Sequence, residues 1–141
     1  MGELKNLVEQ IWDAIEMGDV DKLDDLCHPD CAFTMPGIGF SNLAATKQAI
    51  LSWISAFPDL RHEVIDYVET DDKIAVELFI TALHTGPLAT HNGEIPPSWR
   101  PVVIESTDVI TTRDGKVAVW HTYFDMASIL TQIQPLVATP A

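Results

Sequence analysis

Two segments decide the fold: KIAVELFITALH at residues 73–84 and VVIESTDVITT at residues 102–112. In both, apolar side chains occupy alternate positions, which is the period of a β-strand with one buried face. Residues 61–70 and 116–125 show the same alternation and are predicted as two further strands. Because Asp71-Asp72 and Asp114-Gly115 are typical hairpin turns, the second half of the chain is predicted to form an antiparallel sheet.

The first half of the chain has the period of helices instead, with apolar residues recurring every three or four positions. Helices followed by strands predict an α+β domain in which the helices cover the concave face of a curved sheet. The predicted elements are a first helix that ends near Met17, a short second helix that reaches Cys27, a strand at residues 31–35, a third helix at residues 41–57, and a closing helix at residues 127–134.

Composition limits the classes of function. The chain has 8 Lys and Arg against 21 Asp and Glu, a net charge of −13. This charge repels phosphate backbones and anionic headgroups, so neither nucleic acid nor a membrane is an expected partner. The length of 141 residues and 47% hydrophobic content predict a single domain over residues 1–141. Because no membrane span or secretory signal is recognisable, a cytoplasmic protein is expected.

Metal and cofactor motifs are not recognisable in the sequence. Cys27 and Cys31 lie four residues apart without a second cysteine pair, and a zinc site needs four ligands. We therefore interpret both as small, partly buried residues. The sequence also contains neither an HExxH motif nor a glycine-rich phosphate loop. These observations predict a protein that uses no metal and no cofactor.

Polar residues on the apolar face of the strands are the candidates for chemistry. Side-chain parity places His84, Ser106, Asp108 and Thr122 on that inner face. A carboxylate there costs free energy unless it is paired or hydrogen-bonded, and desolvation raises its pKa toward the range of a general acid or base. Asp108 is therefore the main catalytic candidate; the alternative is a carboxyl group that only hydrogen-bonds a neighbouring strand, a loop or water.

Four further polar residues are secondary catalytic or binding candidates. His84 either shares a proton with Asp108 or caps the end of its strand. Thr122 and Ser106 either donate a hydrogen bond to a substrate carbonyl or serve only the structure. Asp125 follows the last strand, where it either caps the closing helix or faces the cavity.

The proline-rich segment at residues 86–101 is a long loop, and long loops in compact domains are often functional. Within it, Trp99 is a candidate lid. Arg100 either pairs with a carboxylate, closes over a substrate or is a solvated loop residue. Large apolar side chains elsewhere either fill the core or line an apolar pocket. The candidate pocket residues are Trp12, Met35, Trp53, Phe57, Trp120 and Phe124.

Several short motifs, taken together, resemble the SnoaL-like polyketide cyclases over nearly the whole chain. They are Phe57-Pro58-Asp59-Leu60, Leu83-His84-Thr85-Gly86, Pro96-Pro97 with Arg100-Pro101-Val102, Asp114-Gly115-Lys116-Val117, and Trp120 with Tyr123-Phe124-Asp125. The resemblance implies the nuclear-transport-factor-two-like superfamily, whose fold is a cone-shaped α+β barrel with helices on a strongly curved sheet. Proteins of this fold are commonly homodimers.

The sequence departs from this family at one residue that carries the family's chemistry. In the cyclases that it resembles, an acidic residue in the final strand, just after a His-Trp pair, acts as acid and base. The corresponding run here is Trp120-His121-Thr122, so a threonine stands where the carboxylate is expected. This difference moves the proton-transfer role to Asp108 on the neighbouring strand.

The sequence and the resemblance together predict a small cofactor-independent enzyme of secondary metabolism, an isomerase or lyase. It would cyclise or isomerise an apolar polyketide-like molecule by proton transfer. One alternative is epoxide opening, as a hydrolase or a cyclase, by the pair Asp108 and Asp125. A second alternative is a noncatalytic domain that binds a small apolar molecule in the same pocket. All three remain open because one fold hosts many functions.

A homodimer is expected to form through the outer face of the sheet. Parity places Tyr67, Phe79 and Val109 on that face, where they provide apolar area for a partner. The uncharged tail beyond Pro135 is expected to be frayed or to take part in an oligomer contact.

Overall fold

A computed structural model describes residues 2–134 of the protein, and the tail beyond Pro135 lies outside the described residues. The helices and the strands form separate layers, which is the arrangement of an α+β domain. None of the helices in residues 2–134 has the length and hydropathy of a membrane crossing. In chain order the elements are α1 (Glu3–Glu16), a 3₁₀ helix (Val20–Lys22), α2 (Leu23–Leu26), β1 (Cys27–Met35), β2 (Ile38–Phe40), α3 (Leu43–Ala56), β3 (Arg61–Glu69), β4 (Lys73–Leu83), β5 (Leu88–Thr90), β6 (Gly93–Ile95), β7 (Pro101–Arg113), β8 (Lys116–Phe124) and α4 (Met126–Ile133).

Six strands form one mixed sheet in the order β2-β1-β8-β7-β4-β3. The pairs β3 with β4, β4 with β7 and β7 with β8 are antiparallel, whereas β1 runs parallel to β8. The predicted α+β class, with helices on a curved sheet, is confirmed, and the parallel pairing of β1 with β8 makes the sheet mixed rather than purely antiparallel. The sheet is open rather than a closed barrel, because β2 and β3 are its two edge strands.

The helices pack on one face of this sheet. Helix α1 contacts β3 and β4, and helix α3 contacts β1 and β2. The apolar stripe of α1 places Val8 and Ile11 fully inside the core, as expected for an amphipathic surface helix. Asn42 begins α3, because its side chain accepts a hydrogen bond from the backbone N–H of Ala45. The two helices and the inner strand face therefore enclose the apolar core.

The short elements differ from the sequence-based expectations. β1 begins at Cys27, which pairs with Val117 of β8, so the predicted second helix ends earlier, at Leu26. Strand β2 and the hairpin of β5 and β6 were not predicted. Each of these strands has three residues, which is too short for a period to be recognised.

A β-bulge in β3 corrects one prediction about the outer face. The register between β3 and β4 shifts between Val64 and Asp66, and an extra residue reverses the alternation beyond it. Tyr67 consequently lies opposite the buried Val76, with the Lys5 ammonium of α1 4.8 Å from its ring centroid. The prediction that Tyr67 belongs to the outer face is therefore wrong.

A second bulge lies at the start of β8. Thr112 pairs with Val117 and Thr111 pairs with Val119, so Ala118 is the extra residue. Val117 is fully buried, whereas Ala118, which has the same parity as the inner-face residue Thr122, is only half-buried. Trp120 lies beyond the bulge and keeps its predicted inward position.

Gly86 allows the end of α3 to approach the chain that leaves β4. The backbone N–H groups of Thr85 and Gly86 both donate to the carbonyl oxygen of Ala56 at 3.2 Å. A Cβ atom at position 86 would lie 1.8 Å from the carbonyl oxygen of Ser55. Because every other residue has a Cβ, only glycine fits this contact.

We expect Gly86→Ala to lower the free energy of unfolding by about 2 to 4 kcal/mol, because α3 and this segment must separate. Urea unfolding followed by circular dichroism measures the change. Gly39→Ala is the control, since its new Cβ would make ordinary contact with Thr34 Cγ2 at 3.5 Å, and its unfolding free energy should change by less than about 1 kcal/mol. Equal stability of the two variants would contradict the close approach at Gly86.

Candidate active site

An apolar cavity of about 100 Å³ lies between α1, α3 and the inner face of the sheet. Apart from the indole N–H groups of the tryptophans, its hydrogen-bonding side chains are those of His62, Asp108 and Thr122. The lining residues are Trp12, Ile15, Phe33, Met35, Ile50, Trp53, Phe57, Leu60, His62, Ile80, Ala82, Ile104, Asp108, Trp120, Thr122 and Phe124. A few polar groups in an apolar wall are typical of a small-molecule site.

Asp108 is the buried carboxyl group of this cavity, with 4% of its surface exposed. Its Oδ1 accepts hydrogen bonds from the hydroxyls of Thr122 at 2.7 Å and Ser106 at 2.9 Å. Its Oδ2 accepts from the indole N–H of Trp120 at 3.0 Å. The register makes this possible, because Asp108 of β7 lies directly opposite Thr122 of β8.

Burial raises the pKa of Asp108 above that of an exposed aspartic acid. The hydrogen bonds from Thr122, Trp120 and Ser106 favour the ionised form and oppose this shift without cancelling it. The carboxyl group therefore keeps its proton to a higher pH than an ordinary aspartic acid. This property is required of a general acid near neutral pH.

His62, the second residue of β3, is the other titratable group of the cavity. Its ring stacks on the indole of Trp12 from α1, with centroids 4.5 Å apart and planes inclined by 4°. Its Nδ1 lies 2.9 Å from Oε2 of Glu16, the last residue of α1, and its backbone N–H donates to the same oxygen at 2.9 Å. Stacking and hydrogen bonding together fix the orientation of the ring.

Glu16 decides which ring nitrogen of His62 carries the proton. Burial alone would raise the pKa of Glu16, but the backbone and ring N–H groups of His62 outweigh it and hold that pKa below its ordinary value. Since an ionised carboxylate only accepts hydrogen bonds, Nδ1 of His62 carries the hydrogen. In the neutral ring, Nε2 therefore has a free lone pair.

Burial also lowers the pKa of His62, although its hydrogen bond to Glu16 opposes this shift. The ring is thus neutral at neutral pH. His62 and Asp108 lie close enough that the charge of each shifts the pKa of the other. The cavity accordingly combines a carboxylic acid of raised pKa with an imidazole base of lowered pKa, an arrangement that separates the roles of acid and base.

His62 is not among the residues that the sequence predicts for the site. One signal was available, because His62 and Val64 are two residues apart in a strand and both face inward. The bulge immediately after Val64 breaks the alternation, so the strand shows no clear apolar face to which His62 can be assigned.

His84 does not meet Asp108. It is fully buried, but its Nδ1 bonds the Ser98 hydroxyl at 2.8 Å and accepts from the Ser98 backbone N–H at 3.1 Å. Its ring lies 5.5 Å from that of Phe57, outside the cavity lining. The prediction that His84 shares a proton with Asp108 is corrected accordingly: this histidine holds the loop that follows β4.

Asp125 is an exposed helix cap. Its Oδ1 accepts a hydrogen bond from the backbone N–H of Ala127 at 3.0 Å, which begins α4. It does not line the cavity, so the carboxylate pair with Asp108 that epoxide opening would require is not formed.

The remaining sequence-predicted residues divide into two groups. Trp99 is 69% exposed, Arg100 is exposed and Ser106 lies behind Asp108, and none of the three lines the cavity. In this structure neither Trp99 nor Arg100 reaches the cavity, so the predicted lid is not formed. The apolar residues predicted for the pocket all line it: Trp12, Met35, Trp53, Phe57, Trp120 and Phe124.

Within residues 2–134, no group of three or more His, Cys, Asp or Glu side chains is arranged to bind a metal ion. Cys27 and Cys31 are both buried free thiols, in agreement with their interpretation as small buried residues.

A protein-family model described as SnoaL-like polyketide cyclase matches residues 5–133. Among solved structures, a SnoaL-like polyketide cyclase candidate from Jannaschia sp. CCS1 has a TM-score of 0.86 at 18% identity and covers 96% of this chain and 94% of its own. TsrD from Streptomyces laurentii has a TM-score of 0.82 at 24% identity, with 96% and 97% covered. An LEH-like epoxide hydrolase from M. tuberculosis has a TM-score of 0.69 at 15% identity, with 93% and 89% covered. The likenesses to these solved structures establish the fold alone, because all three identities are below 25%. The comparison with curated proteins finds no match.

We expect Glu16→Gln to lower the pKa of His62 further, because the carboxylate of Glu16 contributes most to raising it against burial, ahead of Asp108 and Asp13. Long-range ¹H–¹⁵N NMR of the imidazole nitrogens during a pH titration measures this shift and shows which nitrogen is protonated. Glu9→Gln, on the same helix but paired with Lys5, is the control and should leave the titration of His62 unchanged. A His62 pKa that stays the same or rises in Glu16→Gln would refute the assigned contact.

Proposed function

Because the chain belongs to the SnoaL-like polyketide cyclase family, we propose that it cyclises or isomerises an apolar polyketide-like molecule by proton transfer, without a cofactor. The observation that carries this proposal is that Asp108, an acid of raised pKa, and His62, a neutral base, line one apolar cavity. General acid and base catalysis by positioned side chains needs both groups within reach of one substrate.

The first step forms an enol. Nε2 of His62 removes a proton from a carbon next to a substrate carbonyl, while the carboxyl group of Asp108 donates its proton to the carbonyl oxygen. The charge that forms on Asp108 is stabilised by the hydrogen bonds from Thr122, Ser106 and Trp120. The charge that forms on His62 is stabilised by Glu16. Such donors and acceptors act most strongly where water is excluded.

The second step restores both residues. In a cyclisation, the enol carbon forms a bond to the carbon of a second carbonyl, whose oxygen takes the proton from His62, and the enol hydroxyl returns its proton to Asp108. In an isomerisation, His62 returns its proton to a different carbon, and the enol hydroxyl again returns its proton to Asp108 as the carbonyl re-forms. In either case every proton is accounted for, and Asp108 ends protonated and His62 neutral.

The apolar wall suits a substrate of rings rather than a charged metabolite. Trp53 stacks against Phe57 at 5.5 Å and meets Phe124 edge to face at 5.5 Å. These rings line the same cavity as Asp108 and His62, and aromatic surfaces pack well against unsaturated rings. A noncatalytic binding domain would use the same wall but would not need the acid and base.

The proposal predicts that the protein exchanges carbon-bound hydrogens next to the carbonyl of 1-tetralone for deuterium in D₂O. Proton NMR follows this exchange, and Asp108→Asn should slow it by about a hundredfold or more, because an amide cannot supply the proton. His62→Gln should slow it comparably. Asp125→Asn is the control, since asparagine caps a helix as well as aspartate does, and its rate should equal that of the native protein.

Two outcomes would contradict the proposal. If Asp108→Asn exchanges 1-tetralone as fast as the native protein, the carboxyl group has no part in proton transfer. If the native protein binds 1-tetralone without exchange above the rate in buffer, the protein is a binding domain.

The outer face of the sheet supports a second proposal, a homodimer. Val103 and Tyr123 are 50% and 56% exposed, and Phe79 and Val109 lie on the same face through their pairing with Glu105 and His121. Exposed apolar residues that share one face are typical of an interface with another molecule.

We expect Tyr123→Glu to convert the dimer to a monomer, because the substitution places a charge on the proposed contact face. Sedimentation velocity measures the change in mass. Met17→Glu is the control: Met17 is 82% exposed at the end of α1, away from the outer sheet face, and should leave the dimer intact. A native protein that sediments as a monomer would disprove the dimer.

A further inference from the structure

A second and larger cleft lies beside the cavity. Its volume is about 640 Å³, against about 100 Å³ for the cavity. It is formed by α3, the hairpin of β5 and β6, the turn and strand that follow β1, and α4. Met35 and Trp53 line both spaces, so the cavity and the cleft meet at these two side chains.

The sizes of the two spaces limit the substrate. Small-molecule sites usually enclose about 300 to 1,000 Å³. The cavity lies below this range and offers room for one ring system near Asp108 and His62, whereas the cleft lies within it. A polyketide-like molecule whose reacting ring occupies the cavity can therefore place its remaining atoms in the adjoining cleft, past Met35 and Trp53.

The side chains that line the cleft indicate which chemical groups the part of the substrate outside the reacting ring carries. Leu88, Ile95 and Leu130 supply apolar surface. Hydrogen-bonding side chains accompany them, namely Ser52, Thr90, His91, Asn92 and Gln134. Among the residues that the structure describes, Glu94 is the acidic residue of the lining, and no lining residue is a lysine or an arginine.

A negatively charged group would meet no lysine or arginine among the described residues of this cleft and would be repelled by Glu94 and by the net charge of −13. Hydroxyl, ether and ketone oxygens, in contrast, can pair with hydroxyl, amide and imidazole groups. The lining thus favours neutral oxygen atoms over carboxylate or phosphate.

We propose that this cleft is a second substrate subsite, which binds an uncharged, oxygen-bearing extension of the molecule whose ring reacts in the cavity. The proposal rests on the proposed function, since the cavity must hold the reacting ring. It makes the substrate an extended neutral polyketide-like molecule rather than a single ring or an acid.

The test compares the binding of three probes by ¹H–¹⁵N NMR titration of the full chain. They are 1-tetralone, 1-tetralone with a neutral hydroxyethoxy-ethoxy chain on its aromatic ring, and the same molecule with the chain ending in a carboxylate. The neutral chain should tighten the Kd about tenfold and shift the amide signals of residues 90–94. The carboxylate chain should give no such gain.

A matched pair of variants locates the effect. Ser52→Trp fills the cleft from an exposed position of α3, so the gain from the neutral chain should disappear while the Kd of 1-tetralone stays unchanged. Ser55→Trp places the same side chain at another exposed position of α3, outside the cleft lining, and should retain the gain.

Three results would overturn the subsite. The first is an equal Kd for 1-tetralone with and without the neutral chain, which would leave the cleft to another occupant such as a protein partner. The second is a gain that survives in Ser52→Trp, and the third is tighter binding of the carboxylate chain. Deuterium exchange of 1-tetralone in the same samples reports on the proposed function separately, because exchange requires only the cavity.

Discussion

The burial of the Asp108 carboxyl group on an apolar sheet face is the constraint on which the rest of the site depends. An isolated polar group in such a place costs several kcal/mol, and this one is accommodated because Ser106, Thr122 and Trp120 donate hydrogen bonds to both of its oxygens. All three donors belong to the strand pair β7 and β8, whose register places Thr122 opposite Asp108. The pairing of two strands thus makes a buried carboxyl group compatible with a stable core.

The second half of the site comes from a different layer of the fold. Helix α1 supplies Trp12, which stacks on His62, and Glu16, which bonds its Nδ1. Packing of α1 against β3 sets both contacts. Asp108 on β7 and His62 on β3 are thus held by separate elements, and the cavity that both line exists only when the helical layer closes over the sheet.

The sequence predicted most of the strands and the inward position of Asp108, because alternation along a strand is a local property. It missed the role of His62, whose partner Glu16 lies 46 residues away and whose strand is interrupted by a bulge. It also assigned Tyr67 to the wrong face for the same reason. His84 has the parity of an inner-face residue. Its side chain nevertheless bonds Ser98 in the loop beyond β4 and does not line the cavity.

The sequence alone was enough to predict the α+β class, the order of the main helices and strands and the apolar character of the pocket. It also predicted that the carboxyl group of Asp108 faces inward. These properties follow from periodicity, turn residues and composition, which act over a few neighbouring positions. Only the tertiary structure decided that His62, rather than His84, lies with Asp108 at the cavity and that a larger cleft adjoins it. Both depend on contacts between elements far apart in the chain, where small shifts of register and packing choose which side chains meet.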